Sequence, residues 1–387
     1  MIRAINAITM EIDDIPAAVS EILEQLDLPG NQLAHTVGMI TCHYEFVQSG
    51  VVAALCEALP FDVVGSSTTG QAVNGDREVL SLALLMLTSN DVSFSAACSA
   101  SISQALEAPV RAAYREAAES LGTSPRMMLT FAPLLLQYAG DQYVDILDDV
   151  SGGVPNFGTL SMDDTKAYDC CYTIYNGQCT QDTLAVLLLA GDVQPVFKAI
   201  TVSGQNVLSQ ETMITKSTGN LVQEINGTPF VTFLEGLGLS NEDKVADGLN
   251  YLICMLDTHD GAPPTSKVLI GINEQGDGIC GGYMPEGAAL HISTLEREDV
   301  LRATGETIGE MLALAQDKSV LLAFSCHTRN VVLGSDVYAE FDAARKLVGD
   351  TLPFLMSCSG GEICPYVDEA GRIINRFHNN ALVVCMF

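Results

Sequence analysis

The sequence predicts an α/β protein of two domains, in which repeated strand–helix–strand units form mixed β-sheets with helices on their outer faces. Three observations carry this. The chain has 387 residues, more than one hydrophobic core usually organises. Apolar residues make up 48% and charged ones 17%, a composition that sustains a large buried core and excludes disorder. The same order of elements also recurs along the chain, which marks a repeat architecture.

The first copy runs from Thr36 to Leu87. An apolar strand, Val37-Gly38-Met39-Ile40, leads into Cys42-His43, and a helix follows with Val51, Leu55 and Leu59 on one stripe. Pro60-Phe61 precedes a second strand at Val63-Val64. The loop Gly65-Ser66-Ser67-Thr68-Thr69-Gly70 comes next, and Leu80 to Leu87 closes the unit. The last copy repeats this plan. Ser319 to Phe324 enters Cys326-His327, and a helix presents Val337, Phe341, Ala344 and Val348 behind an N-cap expected at Ser335 or Asp336. Pro353-Phe354 then enters Ser357-Cys358-Ser359-Gly360-Gly361-Glu362, and Ala381 to Phe387 is the final strand. A fainter copy starts at Met127, with Val144, Leu147 and Val150 on its helix, Val154 to Asp164 as its loop segment and Leu184 to Ala190 at its close.

Between the copies, Ile102 to Leu121 and Glu298 to Leu314 read as helices, and Gln194 to Gly236 as strands. Asn176-Gly177 and Asn226-Gly227 are hairpin turn signals. The expected domains are residues 1–225 and 226–387. Each copy sets a loop of small residues at the carboxyl end of a strand, where open α/β sheets bind ligands. A tight turn uses the same residues, but three such loops at matching positions point to a shared cleft.

There are 48 acidic residues against 18 basic ones, a formal net charge of −30. No basic run is present, so nucleic acid and anionic membranes are not expected partners. A solvated acidic surface is the plain reading, and a cationic protein partner the sharper one. The 12 cysteines are scattered, several inside apolar runs, and read as reduced core thiols of a cytoplasmic protein. Neither a secretory leader nor an apolar stretch long enough to span a bilayer is read.

Several segments together resemble one family. These are the Gly65–Gly70 loop, Val154 to Asp164, Ile214-Thr215-Lys216 with Glu224 to Pro229, and Pro285-Glu286-Gly287. Phe324 to Arg329, Gly361-Glu362-Ile363 and Asn375-Arg376-Phe377-His378-Asn379 are the most specific. The chain is similar to the FIST family (F-box and intracellular signal transduction proteins) over nearly its whole length. The resemblance implies paired N- and C-terminal sensory modules that bind small ligands such as amino acids, coupled in many members to an output domain. Here the output is expected on a separate signalling protein. Gly360 stands where an aromatic residue is commoner in the family, which is expected to widen the pocket.

Arg329 and Glu362 are the leading ligand contacts. A guanidinium suits a carboxylate bidentately and a carboxylate suits an ammonium; the alternative is that the two pair with each other and brace the loops. Ser66, Ser67, Thr68 and Thr69 offer hydroxyls and amides to a ligand. Gly361 joins the ligand set beside Glu362, and Asn375, His378 and Asn379 either orient a polar ligand or fix the last strand. Cys326 joins the ligand set, with a nucleophile as its rival role. No catalytic residue, metal site or cofactor is expected, since the cysteine spacings do not suit zinc and no P-loop or dinucleotide fingerprint occurs. The function expected is non-enzymatic sensing of a small polar metabolite. The rivals are a hydrolase or transferase using Cys326 or the Glu362/His378 pair, and an acidic interaction adaptor.

Overall fold

Alternating and helical apolar periods interleave along this chain, and in the computed structural model they fold into three copies of one unit. Residues 136, 166, 201–210, 240–251, 258–261 and 315 apart, all of 1–387 are described. The first copy consists of β1 (Arg3–Thr9), α1 (Ile15–Leu26), α2 (Leu28–Asn31), β2 (His35–Cys42), α3 (Tyr44–Gln48), α4 (Val51–Ala58) and β3 (Val63–Ser67). It ends with the hairpin β4 (Gln71–Val73) and β5 (Arg77–Glu78), then β6 (Leu82–Ser89). The second is β7 (Ser93–Cys98), α5 (Glu107–Leu121), β8 (Met127–Ala132), α6 (Gly140–Ser151) and β9 (Asn156–Leu160). Its hairpin is β10 (Thr173–Tyr175) and β11 (Gln178–Thr180), and β12 (Ala185–Ala190) closes it.

The third copy begins with β13 (Val196–Ile200), which is followed by an insertion. This comprises β14 (Thr212–Thr218), β15 (Leu221–Ile225), β16 (Thr228–Pro229), α7 (Phe230–Gly236), β17 (Leu252–Asp257), β18 (Thr265–Ile272), β19 (Gly278–Cys280) and β20 (Ala289–Thr294). The copy resumes with α8 (Arg297–Leu312), β21 (Leu321–Cys326), α9 (His327–Leu333), α10 (Ala339–Val348) and β22 (Phe354–Ser359). Hairpin β23 (Glu362–Val367) and β24 (Ile373–His378) leads to β25 (Leu382–Met386).

Each copy gives its hairpin away. The three six-stranded sheets run β1-β6-β2-β3-β10-β11, β7-β12-β8-β9-β23-β24 and β13-β25-β21-β22-β4-β5. The order is the same in all three: opening strand, closing strand, two parallel strands, then a hairpin borrowed from another copy. The loans are cyclic, from the first copy to the third, the third to the second and the second to the first. No copy can complete its sheet alone.

One face of every sheet meets the others. Met39, Leu85, Leu129, Phe131, Leu187, Leu322, Phe324 and Val383 share a single apolar core, with Phe157 stacked on Phe324 at 5.3 Å between ring centroids. The opposite faces are covered by helices: α1 and α4 on the first sheet, α5 and α6 on the second, α8 and α10 on the third. The expected mixed sheets with helices outside are therefore present. The insertion was not foreseen as a unit. Its strands β14, β20, β17, β18, β19 and β15 close into a six-stranded antiparallel barrel through the β14–β15 pairing, around Ile214, Val222, Leu269 and Leu290. Ile225, the expected boundary, ends β15 in this barrel.

Several local readings hold. Asn176-Gly177 and Asn226-Gly227 both have positive φ and join β10 to β11 and β15 to β16, as type I′ turns require. Part of the expected Gln194–Gly236 strands, at 201–210, lies outside the described residues. The α5 helix starts at Glu107 rather than Ile102, with Pro109 in its first turn, where a missing N–H costs little. Neither Ser335 nor Asp336 caps α10. Tyr338 holds that position, and Asp336 instead binds Arg297 at 2.5 Å.

Gly65 and Gly158 occupy matching places on β3 and β9, where a Cβ would stand 1.8 Å from the Ile40 carbonyl oxygen and 2.1 Å from that of Thr130. The sheets close only because these residues have none. We therefore expect Gly65→Ala or Gly158→Ala to destabilise the protein by about 3 kcal/mol, measured by urea unfolding, whereas Gly75→Ala, whose Cβ meets nothing within 4 Å, should be nearly neutral.

Candidate functional site

Because each hairpin crosses from one sheet to the next, the chain must bend at the carboxyl end of β3, β9 and β22. These bends are the three small-residue loops, and they bond to one another in a ring. Thr69 N–H donates to Cys358 O at 2.9 Å and Cys358 N–H to Gly70 O at 3.0 Å. Met162 N–H donates to Ser67 O at 2.9 Å, and Leu160 N–H to Gly361 O at 2.9 Å. Gly361 has φ 148° and packs where a Cβ would press on Phe377, and a Cβ on Gly360 would stand 2.6 Å from Ser161 O. Gly360 thus draws two bends together rather than widening a pocket.

Side chains alternate across a strand, so register decides what faces the axis. Met39, Val64, Phe157 and Leu355 point into the shared core. Two residues further along, each strand turns a polar or aromatic group the same way. In the first sheet Thr41, Ser66 and Thr173 lie side by side; in the second, Phe131, Thr159 and Glu362; in the third, Phe324, Ser357 and Gln71. The apolar core is capped at this end by one polar layer, and all of its hydroxyls, Gln71 and Glu362 are buried. Thr41 Oγ1, Ser66 Oγ, Thr173 Oγ1, Ser357 Oγ and Glu362 Oε2 have no hydrogen-bond partner. Such orphans are rare in folded proteins, and here five share one layer. The remaining members are satisfied: Gln71 Nε2 donates to Thr68 Oγ1, and its Oε1 accepts from Ser81 Oγ at 2.6 Å.

Glu362 is the layer's only carboxyl. Its Oε1 accepts from Ser359 Oγ at 3.3 Å. Desolvation pushes its pKa well above the ordinary value, against the pull of Arg329 and its hydrogen bonds. Cys326 adjoins it. Burial raises this thiol to about 12, so it stays protonated at neutral pH, as core thiols do. His378 sits opposite Glu362 on β24. Its Nε2 lies 3.3 Å from Cys364 O and so carries the proton, leaving Nδ1 unpartnered. Burial lowers its pKa to about 3.

The rim holds two histidines that sequence reasoning did not select for binding. His43 caps α3, its Nδ1 accepting from Glu45 N–H, so its Nε2 donates to Asp164 Oδ1 at 3.2 Å. His327 Nδ1 meets Thr69 Oγ1 at 3.0 Å, and burial lowers its pKa. Both bridge one copy to another's bend. Nearby, Asp163, Asp169 and Cys170 have metal-ligand spacing, but both Asp163 oxygens already accept from Thr165, Cys170 and Cys171.

The structure therefore brings together Ser66, Ser67, Thr68, Thr69, Cys326, Gly361, Glu362 and His378. It sets three other expected residues apart. Arg329 is fully buried on α9, with Nη2 2.6 Å and Nε 3.1 Å from Glu340 Oε1, and Nη2 also meets Thr304 Oγ1 and Val300 O. Glu340 Oε2 accepts from Ser325 Oγ at 2.7 Å. This pair ties α8, α9 and α10 to the outer face of β21. Asn375 instead donates to Asp148 Oδ1 and Val154 O and accepts from Asn156 N–H, holding α6 to β9. Asn379 grips β18 of the barrel through Ser266 and Val268, beside Lys267, whose Nζ reaches Asp141 Oδ1 and Phe377 O at 2.8 Å each.

Comparison with known families is decisive. A FIST N domain matches residues 36–228 and a FIST C domain residues 233–365. The chain belongs to the FIST family. The N-domain match takes in the first two bends, and the C-domain match the third together with most of the described barrel. Curated proteins give no match. The crystal structure of cyanuric acid hydrolase from A. caulinodans aligns over 100% of this chain and 99% of its own, at 11% identity and a TM-score of 0.38, too low to bear on this FIST protein. Among the described residues no helix is long and apolar enough to cross a membrane.

Two outcomes follow. Removing one partner of the buried pair, by Arg329→Ala or Glu340→Ala, should cost about 3–5 kcal/mol in urea unfolding. The second concerns Glu362. Its raised folded pKa favours the protonated form, so its contribution to stability is complete below its ordinary value of 4.5 and is lost as pH rises through the folded value. Glu362→Gln should abolish that fall, seen as a flatter stability–pH curve above about pH 4.5.

Proposed function

We propose that this FIST protein is a non-enzymatic sensor that takes a small polar metabolite, an amino acid among the candidates, into the layer where its three bends meet. FIST domains are proposed signalling sensor domains, and the ligand class is our reading. The observation that supports it is the set of five orphan polar atoms, contributed by all three sheets. Buried polar groups without partners destabilise a fold by about 1–3 kcal/mol each, a cost that ligand hydrogen bonds would offset. Four of these atoms are hydroxyl oxygens, each able to donate and accept, and the fifth is a carboxyl oxygen. A ligand ammonium would draw Glu362 back to its carboxylate form by its charge, and a ligand carboxylate suits Ser66, Thr173 and Ser357. Arg329 has no place in this scheme, because Glu340 holds its guanidinium. We further propose that the acidic surface serves a separate signalling output protein in the cytoplasm.

A raised thiol pKa at Cys326 removes the support a cysteine hydrolase would need. Iodoacetamide at neutral pH should label Cys326 no faster than other buried thiols, as peptide mass spectrometry can check.

The sensor reading is tested by thermal unfolding with a panel of the twenty amino acids and related small acids and amines. One class should stabilise the protein, by about 2.7 kcal/mol at a hundred times its Kd, and Glu362→Gln or Ser357→Ala should abolish the shift. A panel without effect, or a shift that survives both substitutions, contradicts the reading.

A further inference from the structure

The cyclic architecture makes three seams, where the opening strand of one sheet passes the hairpin of the next. They are not alike. At the β7/β10 seam Tyr175 fills the space and its Oη donates to Ala96 O at 3.4 Å. At the β1/β4 seam a groove is lined in part by Asn6, Asn74, Asp76 and Asp350. At the β13/β23 seam a cavity of about 490 Å³ opens.

Its origin is visible in the strand pairing. Hairpin strand β23 pairs with β9 only at Glu362 and Ile363. Pro365, which has no N–H to offer a ladder, lies just beyond, and β23 leaves β9 there. On the other side β13 is an edge strand, paired among the described residues only with β25. The walls between are apolar, formed chiefly by Pro195, Val196, Phe197, Pro263 and Tyr366.

The polar groups are selective. Among the described residues, Lys198, Arg376 and His378 line the cavity and no Asp or Glu does, in a chain with 48 acidic residues and 18 basic ones. The cavities at the β1/β4 seam, beside Lys267 and at the β3 edge each include a carboxylate: Asp76 and Asp350, Asp141 and Asp145, or Asp62. Lys198 ion-pairs with Glu310 and Arg376 Nη1 donates to Pro263 O at 3.3 Å, so both cations are anchored at the rim. His378 is buried, and with its proton on Nε2 toward Cys364 O its unpartnered Nδ1 is an acceptor.

We propose that this seam is a second binding site, for a small aromatic or branched carboxylic acid that also carries an O–H or N–H donor. The apolar body packs between the proline-rich walls and the edge strand, the carboxylate faces the Arg376 and Lys198 side, and the donor meets His378 Nδ1. The site shares the β23–β24 hairpin and His378 with the end of the polar layer, and its other lining residues lie outside that layer.

The test is calorimetric titration of the full chain with 4-hydroxybenzoate, 4-hydroxybenzamide and 4-methoxybenzoate at neutral pH. The first should bind with one-to-one stoichiometry. The amide, lacking the charge, and the methoxy acid, lacking the donor, should each bind at least tenfold more weakly. Ala199→Trp, which fills the cavity, and Arg376→Gln should weaken 4-hydroxybenzoate tenfold or more with the fold intact by circular dichroism. Lys198→Gln at the rim should weaken it several-fold, and replaces either variant that does not fold. Absence of heat from 4-hydroxybenzoate at millimolar concentration, equal affinity for all three compounds, or affinity unchanged by the substitutions overturns the proposal.

Discussion

Everything in this molecule depends on the exchange of β-hairpins among its three copies. A sheet that lends its hairpin is incomplete, with an unpaired edge and an uncovered apolar face, until it receives another. Satisfying those backbone groups therefore requires all three copies at once. The exchange also forces each chain to bend at the same level, and the bends are close enough to share backbone hydrogen bonds. The site follows from how the sheets are completed and needs no dedicated loop.

That geometry explains the contrast between surface and interior. The net charge of −30 is carried mostly by solvated groups, while the described buried ionisable groups are paired, hydrogen-bonded or neutralised. Arg329 finds Glu340, Lys267 finds Asp141, and Glu362, with no cation in contact, shifts toward its neutral form instead. Burial decides all three outcomes by the same physics, since a low dielectric tolerates only compensated charge. The same desolvation quiets Cys326 and keeps His378 neutral. The layer therefore presents hydroxyls, an amide and one carboxylic acid, groups that offer hydrogen bonds and no net charge.

Much of this was legible in the sequence because repeats leave local marks. Cys42-His43 and Cys326-His327, the Pro-Phe pairs and the small-residue loops located the copies, and the Asn-Gly dipeptides located two turns. Non-local pairing was not legible. Nothing near Thr173 says that it will lie against Ser66, because a short hairpin carries the same alternation whichever sheet receives it. Ser357 was within reach, one residue before Cys358 in a loop already singled out. The pairing of Arg329 with Glu340, in place of the expected Glu362, was hidden for a related reason. Glu340 lies on a different helix, and the sequence does not give the crossing of α9 and α10. The barrel escaped notice because its closure depends on the pairing of β14 with both β15 and β20, and the latter is distant in sequence.

The cyclic ring of bends is tested most directly by native-state hydrogen exchange at the three amides that close it. The N–H groups of Thr69, Met162 and Leu160, one from each contact between copies, should exchange only through global unfolding and so report a single common free energy. Rapid exchange at any one of them through local opening, with the other two still protected, would show that the copies do not hold one another closed.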